Sequence, residues 1–379
     1  MQRRSLLIAS AVTPFVGACS NSVPDTVKIG VAQPLSGPLA RLGKDMLTGA
    51  QMAVNDLNAA NYTVNGQKVK FEIVSRDDKS DPAVGKTVAQ ELVSAGVVAV
   101  IGNLNSGVSI EAAPVYGAAH IAQLAISTNP KYTQLNLPTT LRLVANDDVQ
   151  AKAMAAYAAS YMEGATTFCL VDDGTPYGKG LLDGVAAHMK NLGKSVALRI
   201  SRDAKTTEFA ADVTKMAAAK IDCVITTLAD FQVEALMKQM AAGGMQEAQL
   251  IGGDTIKTDL LPKSPLPIRR VVATSPIVEA VEFDAGKAFN ERFNKENKQA
   301  IAYGAHYAYD AVFSISDALK RAGSAAPEKV LAALKTLDLH GPVTNSLRFN
   351  EGGEQRFGTI SVYNIDRGQW HPVMRAAEW

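Results

Sequence analysis

Several residue sets in this 379-residue chain have the right types for chemistry, but none has the spacing of a complete catalytic set. Paired carboxylates occur at Asp77-Asp78 and Asp147-Asp148. Adjacent acids can share a proton or hold a cation. No histidine or third acid stands near either pair, so each reads as a solvated turn or a helix cap. Glycine–lysine runs occur at Gly37–Lys44 and Gly174–Lys179. A phosphate loop needs four residues between its glycines, then lysine and a magnesium-binding hydroxyl. The first run has five residues there and Asp45 in the hydroxyl's place; the second has three. No GxGxxG follows a strand. No GxSxG surrounds Ser106, which follows Asn103-Leu104-Asn105. His120, His188, His306, His340 and His371 are scattered, with no HExxH pair, and Cys19, Cys169 and Cys223 lack zinc-ligand spacing. The residues name no nucleophile, metal or cofactor, which favours a binding protein over an enzyme.

Composition narrows the class further. Charged residues are 20% and hydrophobic ones 47%, which excludes a disordered chain and an ordinary integral membrane protein. Lys plus Arg total 38 against 37 acids, a net charge of +1. That balance, without a basic block, argues against nucleic-acid binding, which rests on phosphate neutralisation.

Residues 1–18 read as an address. Arg3 and Arg4 form a positive start, and Leu6 to Val16 is an apolar run too short to span a bilayer. Val16-Gly17-Ala18-Cys19 resembles the lipobox of bacterial lipoproteins, which makes Cys19 the acylated residue. Ordinary cleavage after Ala18 is the other reading. Arg3-Arg4 also faintly resembles a twin-arginine signal. Cleavage removes both arginines and no acid, so +1 becomes −1. Cys169 and Cys223 fall in apolar strand patterns and read as core thiols.

The elements that must carry any site alternate. Val27–Ala32 has a strand pattern, Gln33–Gly43 reads as a loop, and Met46–Leu57 has helical spacing. Strands follow at 69–75, 97–101, 122–126 and 141–144, with helices at 83–95 and 109–118. A second series starts after Asn146-Asp147-Asp148. Its helices are at 149–162, 178–192, 209–219 and 231–242, and its strands at 167–171, 195–200, 223–227 and 249–251. Continuous apolar strands suit parallel sheets buried on both faces. Two such series predict two doubly wound α/β lobes. Beyond Arg270–Ala273 come helices at 285–296, 303–322 and 327–337, short strands at Gly341–Val343 and Leu347–Phe349, and a final hairpin at 358–375. This tail is too poor in strands to form a third core and must pack onto the first two.

Six segments now point one way: VKIGVAQPLSGPLARLGKDMLTGAQMAVNDLN, VAVIGNLNSGVSIEAAPVY, ISTNPKYT, VDDGTPYGKGLLDG, LIGGDTIKTDLL and YGAHYAYDAV. Each resembles a segment of the branched-chain amino-acid (leucine/isoleucine/valine-type) periplasmic binding proteins, the type I substrate-binding subunits of ABC importers. The segments span the whole mature chain in the same order. The resemblance implies two α/β lobes joined by three crossovers and closing on a ligand. Lobe 1 would hold residues 27–146 and 276–350, and lobe 2 residues 147–275 and 351–379. It further implies an exported monomer that serves an ABC permease in the inner membrane. No cofactor or metal is expected, and membrane contact runs only through a lipid on Cys19.

The family's site transfers one motif at a time. Ser106 matches the serine that binds the ligand's α-carboxylate, where a helix dipole also favours an anion; it can cap its helix as well. Ser127 and Thr128 match the segment whose threonine contacts both ends of the amino acid, with a turn before Pro130 as the other reading. Asp254 matches the acid that pairs with the α-ammonium, with a helix cap as its alternative. Tyr177 matches an aromatic that closes over the ligand, or simply packs. Leu42 and Leu228 stand where leucine-type proteins often carry aromatics, and Asn105 where some relatives carry a disulfide cysteine. Ala229 and Asp230 put a polar group on the second-lobe wall, and Tyr303 can replace a lost aromatic. The altered pocket leaves an amide, urea or aromatic carboxylate as alternative ligands, and a sensor subunit as an alternative role.

Overall fold

A computed structural model describes residues 23–263, 265–338, 341–344 and 347–376. The signal segment 1–18 and Cys19 lie outside the described residues.

The strands in chain order are β1 (Thr26–Gln33), β2 (Thr63–Val64), β3 (Gln67–Lys68), β4 (Lys70–Asp77), β5 (Ala99–Gly102), β6 (Ala122–Ala125), β7 (Thr140–Arg142), β8 (Phe168–Asp172), β9 (Val196–Ser201), β10 (Cys223–Thr226), β11 (Gln249–Gly252), β12 (Arg270–Ser275), β13 (Ile360–Asp366) and β14 (Gln369–Ala376). The helices are α1 (Ala40–Ala59), α2 (Pro82–Ser94), α3 (Ser106–Ala118), α4 (Lys131–Gln134), α5 (Asp147–Tyr161), α6 (Pro176–Asn191), α7 (Ala210–Ala218), α8 (Asp230–Ala242), α9 (Gly286–Asn297), α10 (Ala305–Ala322) and α11 (Pro327–Lys335).

Lobe 1 is a five-stranded parallel sheet in the order β4-β1-β5-β6-β7. Lobe 2 is a seven-stranded sheet in the order β14-β13-β12-β11-β10-β8-β9, parallel from β9 to β12 and antiparallel at β13 and β14. In each sheet the strand order reverses once, between β1 and β5 and between β8 and β10. Ligands in open α/β sheets bind at such switch points, beyond the carboxyl ends of the strands.

The central parallel strands of both sheets, β5, β8 and β10 among them, are buried on their two faces, which explains their unbroken apolar runs. On lobe 1, α1 and α10 pack together against one face, and α2 and α3 cover the other. Gly49 permits the first contact, because a Cβ there would lie 1.9 Å from the Ala305 carbonyl oxygen. The later helices complete this core, and β13–β14 join the lobe 2 sheet.

The chain crosses between lobes after β7, after β12 and before β13. Arg142, at the end of β7, is fully buried. Its Nε meets Glu354 Oε2 at 2.9 Å, and its backbone N–H donates to the Gly353 carbonyl at 2.8 Å. The first and third crossovers are thereby tied together.

Several expectations change. The loop before α1 is shorter than expected, because the helix already begins at Ala40. α5 starts two residues early because Asn146 accepts from the Asp148 and Val149 amides. Gly341–Val343 is not a strand: the Asp310 carboxylate accepts the Val343 and Thr344 N–H groups and bends the segment into a turn. In Leu347–Phe349, Phe349 makes an isolated bridge to Gln355 in place of a ladder.

Cys169 and Cys223 are free and buried on neighbouring strands. The register pairs Cys169 with Val224 and Cys223 with Phe168. The two thiols therefore enter different cores, one on each face of the sheet.

Candidate ligand-binding cleft

A cavity of about 290 Å³ lies between the lobes at the carboxyl ends of both sheets. Its lobe 1 floor comes from the turn after β5. Asn105 is the N-cap of α3, and its side chain makes no capping bond, so the capping reading of Ser106 does not hold: Ser106 is the first helical residue. The Ser106 Oγ accepts the Asn129 N–H at 3.2 Å and keeps its own proton to donate. The first amides of α3, without a side-chain cap, form a positive end that favours an anion.

Ser127 and Thr128 follow β6 on the same floor, each 2% exposed. The Ser127 hydroxyl has no hydrogen-bond partner. The loop under them is braced by Arg142, which donates to the Ser127 carbonyl and, at 2.9 Å, to the Asn129 carbonyl. The same guanidinium lies 5.5 Å from the centroid of the Tyr132 ring.

Asp254 faces this floor from lobe 2. It opens the 3-10 turn Asp254–Ile256, so its carboxylate does not cap a following helix. Three donors converge on it: Gln150 Nε2 at 3.1 Å, Tyr177 OH at 2.8 Å and Tyr303 OH at 2.6 Å. Burial, then the Asp254 charge, push both phenols far above the usual tyrosine range, so they stay protonated and donate. Tyr303 reaches across from lobe 1. Asp45 fixes its backbone by accepting N–H bonds from Ala302, Tyr303 and Ala305 at 2.7, 3.1 and 2.8 Å. Asp147, buried between the two floors, is pushed well above the usual carboxylate range, first by burial and then by Asp254.

The lobes also touch directly. Asn129 Nδ2 donates to the Pro176 carbonyl at 2.7 Å. A Cβ on Gly253 would lie 2.3 Å from the Tyr177 hydroxyl, so glycine there lets the phenol reach Asp254. Leu39, Leu42, Leu104, Ile126 and Phe231 make the remaining walls largely apolar.

Of the residues singled out in sequence, Leu42, Ser106, Ser127, Thr128, Tyr177, Asp254 and Tyr303 line one cavity. Leu228 does not. Thr226 Oγ1 accepts its N–H at 3.1 Å and the side chain packs into the lobe 2 core. Ala229 and Phe231 take the wall position instead. Asp230 is likewise turned away, accepting from the Thr258 hydroxyl at 2.6 Å. Phe231 on the wall, and Gln150 and Asn129 bonded to wall residues, were not singled out in sequence; Asp147, expected in a solvated turn or as a helix cap, is instead buried. Phe231 carried a signal, as an aromatic just past Leu228. Gln150 and Asn129 carried none, because their partners are 104 and 47 residues away. Among the described residues no cluster of His, Cys, Asp and Glu could hold a metal, and no helix is long and apolar enough to cross a membrane.

Two α/β lobes, three crossovers and a polar-floored cleft between them define a bilobal solute-binding protein. The periplasmic binding protein family model matches residues 26–369, and the chain belongs to that family. It is 30% identical over 370 residues to the Leu/Ile/Val-binding protein homolog 1 of Brucella abortus (strain 2308), covering 96% of this chain and 97% of the relative. Its fold is similar to a leucine-binding protein of Thermotoga maritima, with TM-score 0.82 and 23% identity over 92% of this chain and 98% of that one. It is also similar to an R. palustris solute-binding protein in complex with benzoate, with TM-score 0.81 and 17% identity over 93% and 97% of the two chains. These are binding proteins, not enzymes.

Proposed function

We propose that this protein is the extracytoplasmic substrate-binding subunit of an ABC importer, and that its cleft takes an α-amino acid with an aliphatic side chain. One observation carries the reading. The cleft sets the free start of α3, with Ser106 and Thr128, opposite a buried carboxylate, Asp254, on the other lobe. A zwitterion needs both ends matched, because an unpaired buried charge costs several kcal/mol. The apolar wall around Leu39, Leu42 and Ile126 suits an aliphatic side chain, and the Brucella relative's description as a Leu/Ile/Val-binding homolog agrees. Ligand contacts to both floors would hold the lobes closed by hinge motion at the crossovers. Residues 1–18 fit export to the periplasm and Cys19 a lipid anchor, with the protein working as a monomer beside its permease.

A thermal-shift and calorimetric panel tests the ligand, because stabilisation follows ligand concentration over Kd. Leucine, isoleucine and valine should raise the melting temperature. A second reading, an aromatic carboxylate, rests on the uncharged donors already gathered on Asp254 and on the aromatic wall of Tyr177, Phe231 and Tyr303. A response to benzoates and to no α-amino acid would replace the first reading with the second. Uptake that is unchanged on deletion of the gene would move the role from import to sensing.

A further inference from the structure

Tyr303 stands on two walls. It lines the cleft between the lobes, and it also lines a second cavity of about 180 Å³. Lys257, Ser275, Ile277, Glu279 and His306 bound this second space with it. Tyr303 is held in place from both ends. Its backbone N–H donates to Asp45 at 3.1 Å and its hydroxyl to Asp254 at 2.6 Å.

His306, on the wall of the second space, carries an unmet acceptor that is itself shielded from that space. His306 is 1% exposed, and its Nε2 meets the Val278 carbonyl at 2.8 Å. A carbonyl only accepts, so Nε2 carries the proton. Burial lowers the ring's pKa to about 4, so it is neutral and Nδ1 bears a lone pair. Nδ1 has no partner. Leaving a buried acceptor unmet is costly. Glu279 is a second acceptor on the same wall, and Lys257, paired with it, is a cationic donor.

We infer that Tyr303 is a specificity-determining partition, and that the space behind it is a side-chain annex for an amino acid with an extended side chain tipped by a carboxamide. With the ring in place, side chains stop at about the length of leucine. With the ring gone, the two spaces join and a carboxamide can donate toward Glu279 and accept from Lys257 on the annex wall. This inference rests on the amino-acid reading above.

The test is calorimetric titration of leucine and glutamine into the mature chain and its variants. Tyr303→Phe keeps the wall and loses the bond to Asp254, so it should weaken both ligands alike. Tyr303→Ala should move the glutamine-to-leucine affinity ratio at least tenfold toward glutamine, and Tyr303→Val should move it the same way if the alanine variant does not fold. Adding His306→Phe to the truncation fills the annex and should cancel the shift. Leucine binding by the wild type with an unmoved ratio in every folded truncation overturns the partition and leaves the receptor reading standing. A wild type that binds no amino acid defeats the receptor reading, and the inference falls with it.

Discussion

Asp254 is the residue on which most of the cleft's electrostatics turn. It is 4% exposed, and its hydrogen-bond partners Gln150, Tyr177 and Tyr303 are all neutral donors. Asp254→Ala should weaken binding of the best amino acid by at least tenfold, about 1.4 kcal/mol, in calorimetry. Unchanged affinity would remove Asp254 from the site. Asp45 acts one step back, through the backbone of Tyr303. Burial raises its pKa to about 6. Asp45→Asn puts an amide where N–H groups need an acceptor and should cost about 1–3 kcal/mol in denaturant unfolding. The pH sign follows from the raised value. Asp45's protonation contributes stability fully below the ordinary carboxylate pKa and loses it as pH rises through about 6. The stability gap between wild type and Asp45→Asn should therefore narrow from pH 5 to pH 7. A gap that widens would contradict the burial of an uncompensated charge. Neither Asp45 nor Gln150 was legible in sequence, because each acts on groups more than 100 residues away. Ser106, Thr128 and Asp254 were legible through the family resemblance, whose motifs place each of them just past an apolar strand.

At the scale of elements, the hydrophobic period carried most of the information. The central parallel strands were marked by continuous apolar runs, since burial on both faces leaves no alternation to find. The weak places were those where a side chain overrides the local pattern. Asp310 bends Gly341–Val343 out of a strand, and Thr226 turns Leu228 under the lobe 2 wall. Asn146 pulls the start of α5 back to Asp147. The close contact of α1 with α10 was hidden for a different reason: Gly49 looks like a weak point in a helix until the Ala305 carbonyl is found against it. Gly49→Ala should therefore destabilise the fold by about 1–3 kcal/mol despite its better helix propensity. A neutral or stabilising outcome in thermal unfolding would mean the two helices separate at little cost.

At the scale of the whole molecule, two kinds of contact govern the angle between the lobes. One ties the crossovers: Glu354→Ala leaves the Arg142 guanidinium buried without its partner and should cost about 3–5 kcal/mol. The other kind forms only when the lobes meet and includes the Tyr303–Asp254 bond, the Arg41–Asp259 ion pair and the bond from Asn129 to the Pro176 carbonyl. Asn129→Ala should weaken ligand affinity by about 1 kcal/mol while enlarging the ligand-free radius of gyration in small-angle scattering. An unchanged radius would show that the bond does not hold the lobes together. The division into two lobes was legible because two βα series follow one another. The contacts across them were not, because sequence order places their partners in different series. The placement of the two cysteines has a further consequence. Cys169 and Cys223 sit in opposite layers of the same central strands, and burial pushes both thiols up, Cys169 to about 12. A thiol reagent cannot reach them while the sheet is intact. In a chain lacking Cys19 they are a built-in clock, whose labelling rate counts how often the second lobe comes apart.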